Sequence, residues 1–200
     1  MGTLVRLVPP GPALARALGV ELATAESAFR AEVAYYLEHQ LEGRDAASLA
    51  DLRRRSAAVL ADAAGVDRDG ALDALMASLR FEAYEDAAPA LAELRARGLR
   101  LVVVSNWDCS LPEVLERIGL LPLVDAVISS AVVGVAKPGR AIFDAALAAA
   151  GCRAAEAAHV GDSLDNDVRG ARAAGIRPLL LARDGGGDLL TLGELPALLS

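Results

Sequence analysis

Apolar positions along this 200-residue chain follow two regimes. After residue 82, short continuous apolar runs alternate with stretches of helical spacing. The runs are "LRLVVVSN" (99–106), "VDAVISS" (124–130), "AAHVGD" (157–162) and "IRPLLLAR" (176–183). Apolar runs without in-out alternation predict strands buried on both faces. Helical spacing predicts helices near 86–97, 110–119, 139–151 and 165–174, with Asp86 and Ser110 as N-caps and Gly98, Gly119 and Gly175 as stops. Repeated βα units of this kind predict an α/β fold, an open, doubly wound parallel sheet of Rossmann-like type. Residues 11–81 carry only helical patterns separated by Gly and Asp, which makes them a helical insertion. Residues 1–10 and 82–200 are then the α/β core. Leu4–Leu7 is an apolar patch before Pro9 and Pro10, too short for a full strand.

Charge and composition narrow the function. A formal net charge of −7 disfavours nucleic acid or an anionic membrane as partner, because either attracts a basic face. No apolar run reaches the roughly 18–20 residues that span a bilayer. No basic region followed by an apolar run and a small-residue cleavage site opens the chain. The two cysteines, Cys109 and Cys152, have neither metal-ligand spacing nor partners for a disulfide framework. A cytoplasmic enzyme or scaffold is expected. Of 20 basic residues only Lys137 is lysine, and Asn occurs only at 106 and 166. Where Arg has displaced Lys so thoroughly, a surviving lysine marks a place that needs a compact ammonium.

The polar oddities collect at strand ends. Ser105 and Asn106 end the first run, Lys137 and Pro138 follow the second, and Gly161 and Asp162 end the third, with Asp167 one turn further on. A doubly wound sheet brings these carboxyl ends into one crevice. A hydroxyl, backbone N–H groups and an ammonium suit phosphate, so Ser105, Asn106 and Lys137 are candidate phosphate-binding residues. The stretch "HVGDSLDNDVRG" (159–170) crowds three carboxylates, which repel unless a cation sits among them. Asp162 and Asp167 suit a hard divalent ion such as Mg²⁺. Asp165, one helix position off that face, is expected to point to solvent.

These residues resemble the haloacid dehalogenase superfamily of phosphohydrolases. "VVVSN" with Ser105 matches its second motif, "AKPGRAIF" with Lys137 its third, and "GDSLDND" with Asp162 and Asp167 its fourth. The insertion at 11–81 is similar to the type-one helical cap of the phosphoglycolate-phosphatase-like branch. The family's first motif is a strand followed by Asp-x-Asp-Gly-Thr. Here "MGTLV" matches only its tail, with Met1 at the second Asp position, beside the metal, and the nucleophile two residues before Met1. The resemblance therefore implies a Mg²⁺-dependent phosphomonoesterase for a small phosphorylated substrate. Its aspartate nucleophile lies upstream and its first strand is missing, so these 200 residues alone are expected to be inactive and poorly stable. Lys137 and Asp167 are implied as catalytic, Asp167 positioning Lys137 or a metal-bound water. Asp162, Asp167 and Met1 mark the metal side.

Two other readings fit parts of the pattern. A 2-haloacid dehalogenase tolerates Met1 in place of the second Asp, but it needs no metal and lacks the Gly161–Asp162 pair. A non-catalytic binding or scaffold protein needs no nucleophile, but neither does it need the metal and phosphate residues. His39 and His159 read as core or surface residues, since no acid or nucleophile is spaced with them as a triad. Cys109, Tyr35 and Tyr36 read as packing, and Arg53–Arg55 as a solvated helix face.

Overall fold

The computed structural model describes residues 2–199, so Met1 lies outside the described residues. The chain divides into two compact units: one takes the chain up to Arg6 and from Ala83 onward, the other is Leu7–Glu82.

The chain enters the second unit through a short strand, β1 (Val5–Leu7), and leaves it through β2 (Phe81–Ala83), which pairs with β1. In this unit lie four helices, α1 (Gly11–Leu18), α2 (Leu22–His39), α3 (Ala46–Ala64) and α4 (Ala71–Ser78). The start of α3 is defined by a capping box, in which Asp45 accepts from the Ser48 N–H at 2.9 Å and the Ser48 hydroxyl accepts from the Asp45 N–H at 3.1 Å. Its end is set by Gly65 at φ 69°, a left-handed conformation that costs glycine nothing. The helices close on Leu14, Leu60 and Leu75, with Ala25, Ala28, Ala57 and Ala61 among them. The many small side chains leave little volume between helix backbones.

The other unit holds α5 (Ala87–Ala96), β3 (Val102–Ser105), α6 (Leu111–Arg117), β4 (Ala126–Ser129), α7 (Ser130–Val133) and α8 (Arg140–Ala150). After these come β5 (Ala158–Gly161), a π-helical turn over Leu164–Arg169, α9 (Gly170–Ala173), β6 (Arg177–Leu180) and α10 (Leu195–Leu198). β3 runs parallel to β4, with Val102 opposite Ala126 and Ser105 opposite Ser129. β5 runs parallel to β6, with Ala158 opposite Arg177 and Gly161 opposite Leu180. Ile142, Phe143, Ala171 and Ile176 form a fully or almost fully buried cluster, with Val104 and Ile128 packed against it.

The α/β class and the order of elements follow the apolar pattern, and β3–β4 and β5–β6 are separate parallel pairs with no strand joining them among the described residues, as a missing first strand implies. The details differ in three places. The fourth predicted helix opens instead as a π turn, because the Ser163 carbonyl accepts from both Asp167 N–H at 2.9 Å and Val168 N–H at 3.2 Å. Asp86 precedes α5 but does not cap it, since its carboxylate is taken by Arg183 and the Leu192 N–H. Likewise the Ser110 hydroxyl turns away from α6 and donates to Asp108 at 2.6 Å. None of the described helices is long and apolar enough to cross a membrane.

Candidate active site

Parallel strands deliver their C-terminal residues to one edge, and the loops that follow decide which side chains meet there. Ser105 is the last residue of β3, and Asn106 opens the loop after it. The Asn106 amide works as a clip on a second loop: its Nδ2 donates to the Lys137 carbonyl at 3.0 Å and its Oδ1 accepts from the Lys137 N–H at 2.7 Å. Lys137 is followed by a cis peptide bond to Pro138. So anchored, the ammonium of Lys137 reaches back over the end of β3, donating to the Val104 carbonyl at 3.0 Å and to Asp167 Oδ1 at 2.6 Å. Asn106, Lys137 and Asp167 are thus joined by hydrogen bonds at the end of β3, next along the chain to Ser105.

Asp167 is held from every side. Its Oδ1 receives Lys137 and His159 Nε2 (2.9 Å), and its Oδ2 accepts from the Ser163 N–H at 3.0 Å. Lys137 and Asp167 side chains keep only 11% and 6% of their surface exposed. Burial pushes the Asp167 carboxyl upward, but the His159 hydrogen bond and the Lys137 charge outweigh it and hold the group well below the usual carboxylate range. The carboxylate approaches the backbone of Gly161 so closely that a Cβ there would lie 2.1 Å from Asp167 Cγ. Glycine is thus required at position 161 for a steric reason, with no positive φ involved.

Asp162 has a different environment. It is exposed, and its Oδ1 accepts from the Thr3 hydroxyl at 2.6 Å. Gly2, at φ 73°, packs against the same carboxylate. Asp165 turns to solvent and pairs with Arg169 on the outer face of the π turn, as its position off the site face implies. Among the described residues no group of three or more His, Cys, Asp or Glu side chains converges on one point.

His159, expected as a core or surface residue, is nearly buried and bonded to Asp167. It lies in β5 and Asp167 in the π turn, so no single periodicity relates them, and only the return of the π turn onto β5 brings the two together. The strand position itself was the available signal, since a histidine inside an otherwise apolar run at a crevice edge calls for a buried acceptor. Its ring also lies edge-on to Phe143, with centroids 5.2 Å apart. Arg55, expected on a solvated face, is half-buried and donates to the Tyr35 hydroxyl at 2.6 Å.

A cavity of about 750 Å³ opens onto this edge. It is lined by β3 and β5, with Leu91, Leu115, Phe143 and Ile176 among its apolar walls and Ser105, Lys137, Asp162 and Asp167 among its polar ones. The edges of β3 and β5 that face away from β4 and β6 have no strand partner among the described residues.

Comparison with known proteins identifies the family of the chain. A family model described as "haloacid dehalogenase-like hydrolase" matches residues 2–175. The haloacid dehalogenase-like hydrolase domain-containing protein 3 of Bos taurus is 42% identical over 102 residues, 51% of this chain and 41% of that protein. A phosphoserine phosphatase of Thermus thermophilus is 42% identical over 105 residues, 52% of this chain and 42% of that enzyme. The chain thus spans about two fifths of the length of these relatives. Among solved structures, the L-2-haloacid dehalogenase of Xanthobacter autotrophicus superimposes with a TM-score of 0.73 at 24% identity, over 99% of this chain and 94% of that one. A phosphatase of the same fold from Thermococcus onnurineus gives 0.68 at 24% identity, over 100% and 94%. With strand ends, lysine loop and acidic turn all inside the matched span, this chain belongs to the haloacid dehalogenase-like hydrolases.

Proposed function

We propose that this chain serves a magnesium-dependent phosphomonoesterase acting on a small phosphorylated metabolite. The observation that carries the reading is the ammonium of Lys137, fixed by Asp167 and by the carbonyl of Val104, the residue before Ser105 at the end of β3. A cation held at a strand end, with little freedom left to lose, stabilises the equatorial oxygens of a transferring phosphoryl group without reorganising. Among the matched relatives are phosphatases named for phosphoserine, ribulose-1,5-bisphosphate and glyceraldehyde 3-phosphate.

Each residue has a role in this reading. Ser105 donates its hydroxyl to a phosphate oxygen, and Lys137 neutralises the charge that grows on the transferring group. Asp167 positions Lys137; with both oxygens already engaged by Lys137, His159 and Ser163, it is a poor direct metal ligand. Asp162 fits that task better, as an exposed hard oxygen donor whose Oδ1 alone is engaged among the described residues, by Thr3. Magnesium takes one or two protein carboxylates and completes its shell with water and phosphate, so a converging triad of acids is not needed. Bound there, the ion would offset negative charge on phosphate and nucleophile. The nucleophile is an aspartate carried by an extended segment seated along the unpartnered edges of β3 and β5. Its carboxylate attacks phosphorus, the alcohol leaves, and water then hydrolyses the aspartyl-phosphate. The enzyme works in the cytoplasm.

The test is hydrolysis of p-nitrophenyl phosphate by the chain extended ahead of Met1 with an apolar strand ending in Asp-x. Turnover should require Mg²⁺, stop in chelator, and fall by about 10²-fold or more in Asp162→Asn, the scale of losing one electrostatic stabiliser. No turnover at all overturns the reading. Hydrolysis of a 2-haloacid, indifferent to chelator, would establish the dehalogenase alternative instead.

A further inference from the structure

One guanidinium gathers four separated stretches of the α/β unit. Arg183, three residues beyond β6, makes a bidentate pair with Asp86: Nη1 donates to Oδ2 at 2.8 Å and Nη2 to Oδ1 at 3.0 Å. The same side chain donates from Nε to the Gly2 carbonyl at 3.3 Å and from Nη2 to the Thr3 carbonyl at 2.9 Å. Its guanidinium carbon lies 3.9 Å from the centroid of the Tyr84 ring. Asp86, for its part, also accepts from the Leu192 N–H at 2.9 Å.

An ordinary exposed Arg–Asp pair contributes little and has no need of further partners. This one is three-quarters buried, with 26% and 21% of the side chains exposed, and the guanidinium's other hydrogen bonds among the described residues go to the Gly2–Thr3 turn. What that turn touches is Asp162. The Thr3 hydroxyl donates to Asp162 Oδ1 at 2.6 Å, and a Cβ on Gly2 would fall 2.2 Å from Asp162 Oδ2. The backbone that Arg183 holds is therefore the backbone that sets the rotation of the Asp162 carboxylate.

We infer that Arg183 is a positioning residue for Asp162, acting through the Gly2–Thr3 turn, with Asp86 and Tyr84 fixing the guanidinium itself. Arginine suits this place because a planar fork can serve a carboxylate, two carbonyls and an aromatic face together. A lysine ammonium keeps the charge but cannot reach all four. The purpose of the device, orienting a magnesium ligand, rests on the phosphatase reading; the geometry does not.

The experiment separates the two. The ¹³C resonance of the Asp162 carboxyl is followed by NMR in the chain extended ahead of Met1 as above, and in its Thr3→Val, Arg183→Lys and double variants. Arg183→Lys should move the resonance in the direction that Thr3→Val does, and the double variant should move it no further, since both act through one turn. Asp86→Asn, which loosens the guanidinium but leaves Arg183 in place, should move it the same way by less. Mg²⁺ binding by calorimetry should weaken by about tenfold in Arg183→Lys, the low end for removing support behind a metal ligand. An Asp162 resonance unmoved by Arg183→Lys and by Asp86→Asn overturns the inference. So does a shift accompanied by faster amide exchange throughout β3 and β4, which marks general loosening. Moved resonances in a chain that binds no Mg²⁺ would uphold the positioning and remove the magnesium reading.

Discussion

Lys137 Nζ and Asp167 Oδ1 stand 2.6 Å apart, with both side chains almost wholly withdrawn from water. The solitary lysine is therefore not a free hand in an open crevice. It is one half of a buried ion pair, and the site and the fold share it.

Removing the ammonium should consequently cost stability as well as chemistry. Lys137→Met leaves Asp167 charged and buried, with His159 and the Ser163 N–H as its remaining partners among the described residues. Urea unfolding should show a loss of about 3–5 kcal/mol, the usual result of stripping one partner from a buried pair. Adding Asp167→Leu to the same chain should recover most of it, because no uncompensated charge remains. A single variant as stable as wild type would show that the pair is not coupled.

Asp167 also predicts behaviour in acid. Its carboxyl titrates below the ordinary range in the folded chain. A depressed folded value means that its stabilisation is complete above the unfolded value near 4 and is lost as pH falls toward the folded one. The midpoint of thermal unfolding should therefore drop steeply below about pH 4, and Asp167→Asn should flatten that part of the curve.

Glu32 predicts the opposite slope. It is buried on α2, and that burial raises its pKa from 4.5 to about 7, with Ser56 opposing. A raised acid binds its proton more tightly folded than unfolded, so stability should decline as pH rises between 4.5 and about 7. The span corresponds to about 3 kcal/mol, at about 1.4 kcal/mol for each pH unit. Glu32→Gln should remove the decline and be more stable than wild type at pH 8, as denaturant titrations at pH 5 and pH 8 would show.

Gly161→Ala tests how tightly the acidic turn is packed onto β5. The added methyl would overlap Asp167 and push its carboxylate away from Lys137. A loss of about 1–3 kcal/mol is expected, as for overpacking a filled site. The depression of Asp167 should shrink with it, visible as a shallower acid limb in the thermal unfolding curve. Retention of the wild-type limb would mean that the turn yields without disturbing the pair.

Much of this molecule is written in its linear pattern. Unbroken apolar runs place β3, β4, β5 and β6 within a few residues of where they lie, because such a run leaves no polar alternation to misread, although these strands are half-buried rather than covered on both faces. Strand ends collect on one edge in any parallel arrangement, so Ser105, Asn106, Lys137 and Asp167 could be brought together by topology alone. The lone lysine stood out because composition had removed every other. What the linear pattern does not contain is how backbone groups are shared. The π turn, with one carbonyl serving two amides, depends on Asp167 reaching back to Ser163, a choice between i+4 and i+5 that periodicity does not encode. Asp86 looks like a helix cap, and becomes the anchor of Arg183 only because β6 ends beside it in space. His159 acquires its acceptor, and Glu32 its burial, in the same way. Local sequence dictates which elements form, through side-chain size and backbone preference. Which polar groups meet is settled by packing, since a hydrogen bond acts only between neighbours in space, however far apart they lie along the chain.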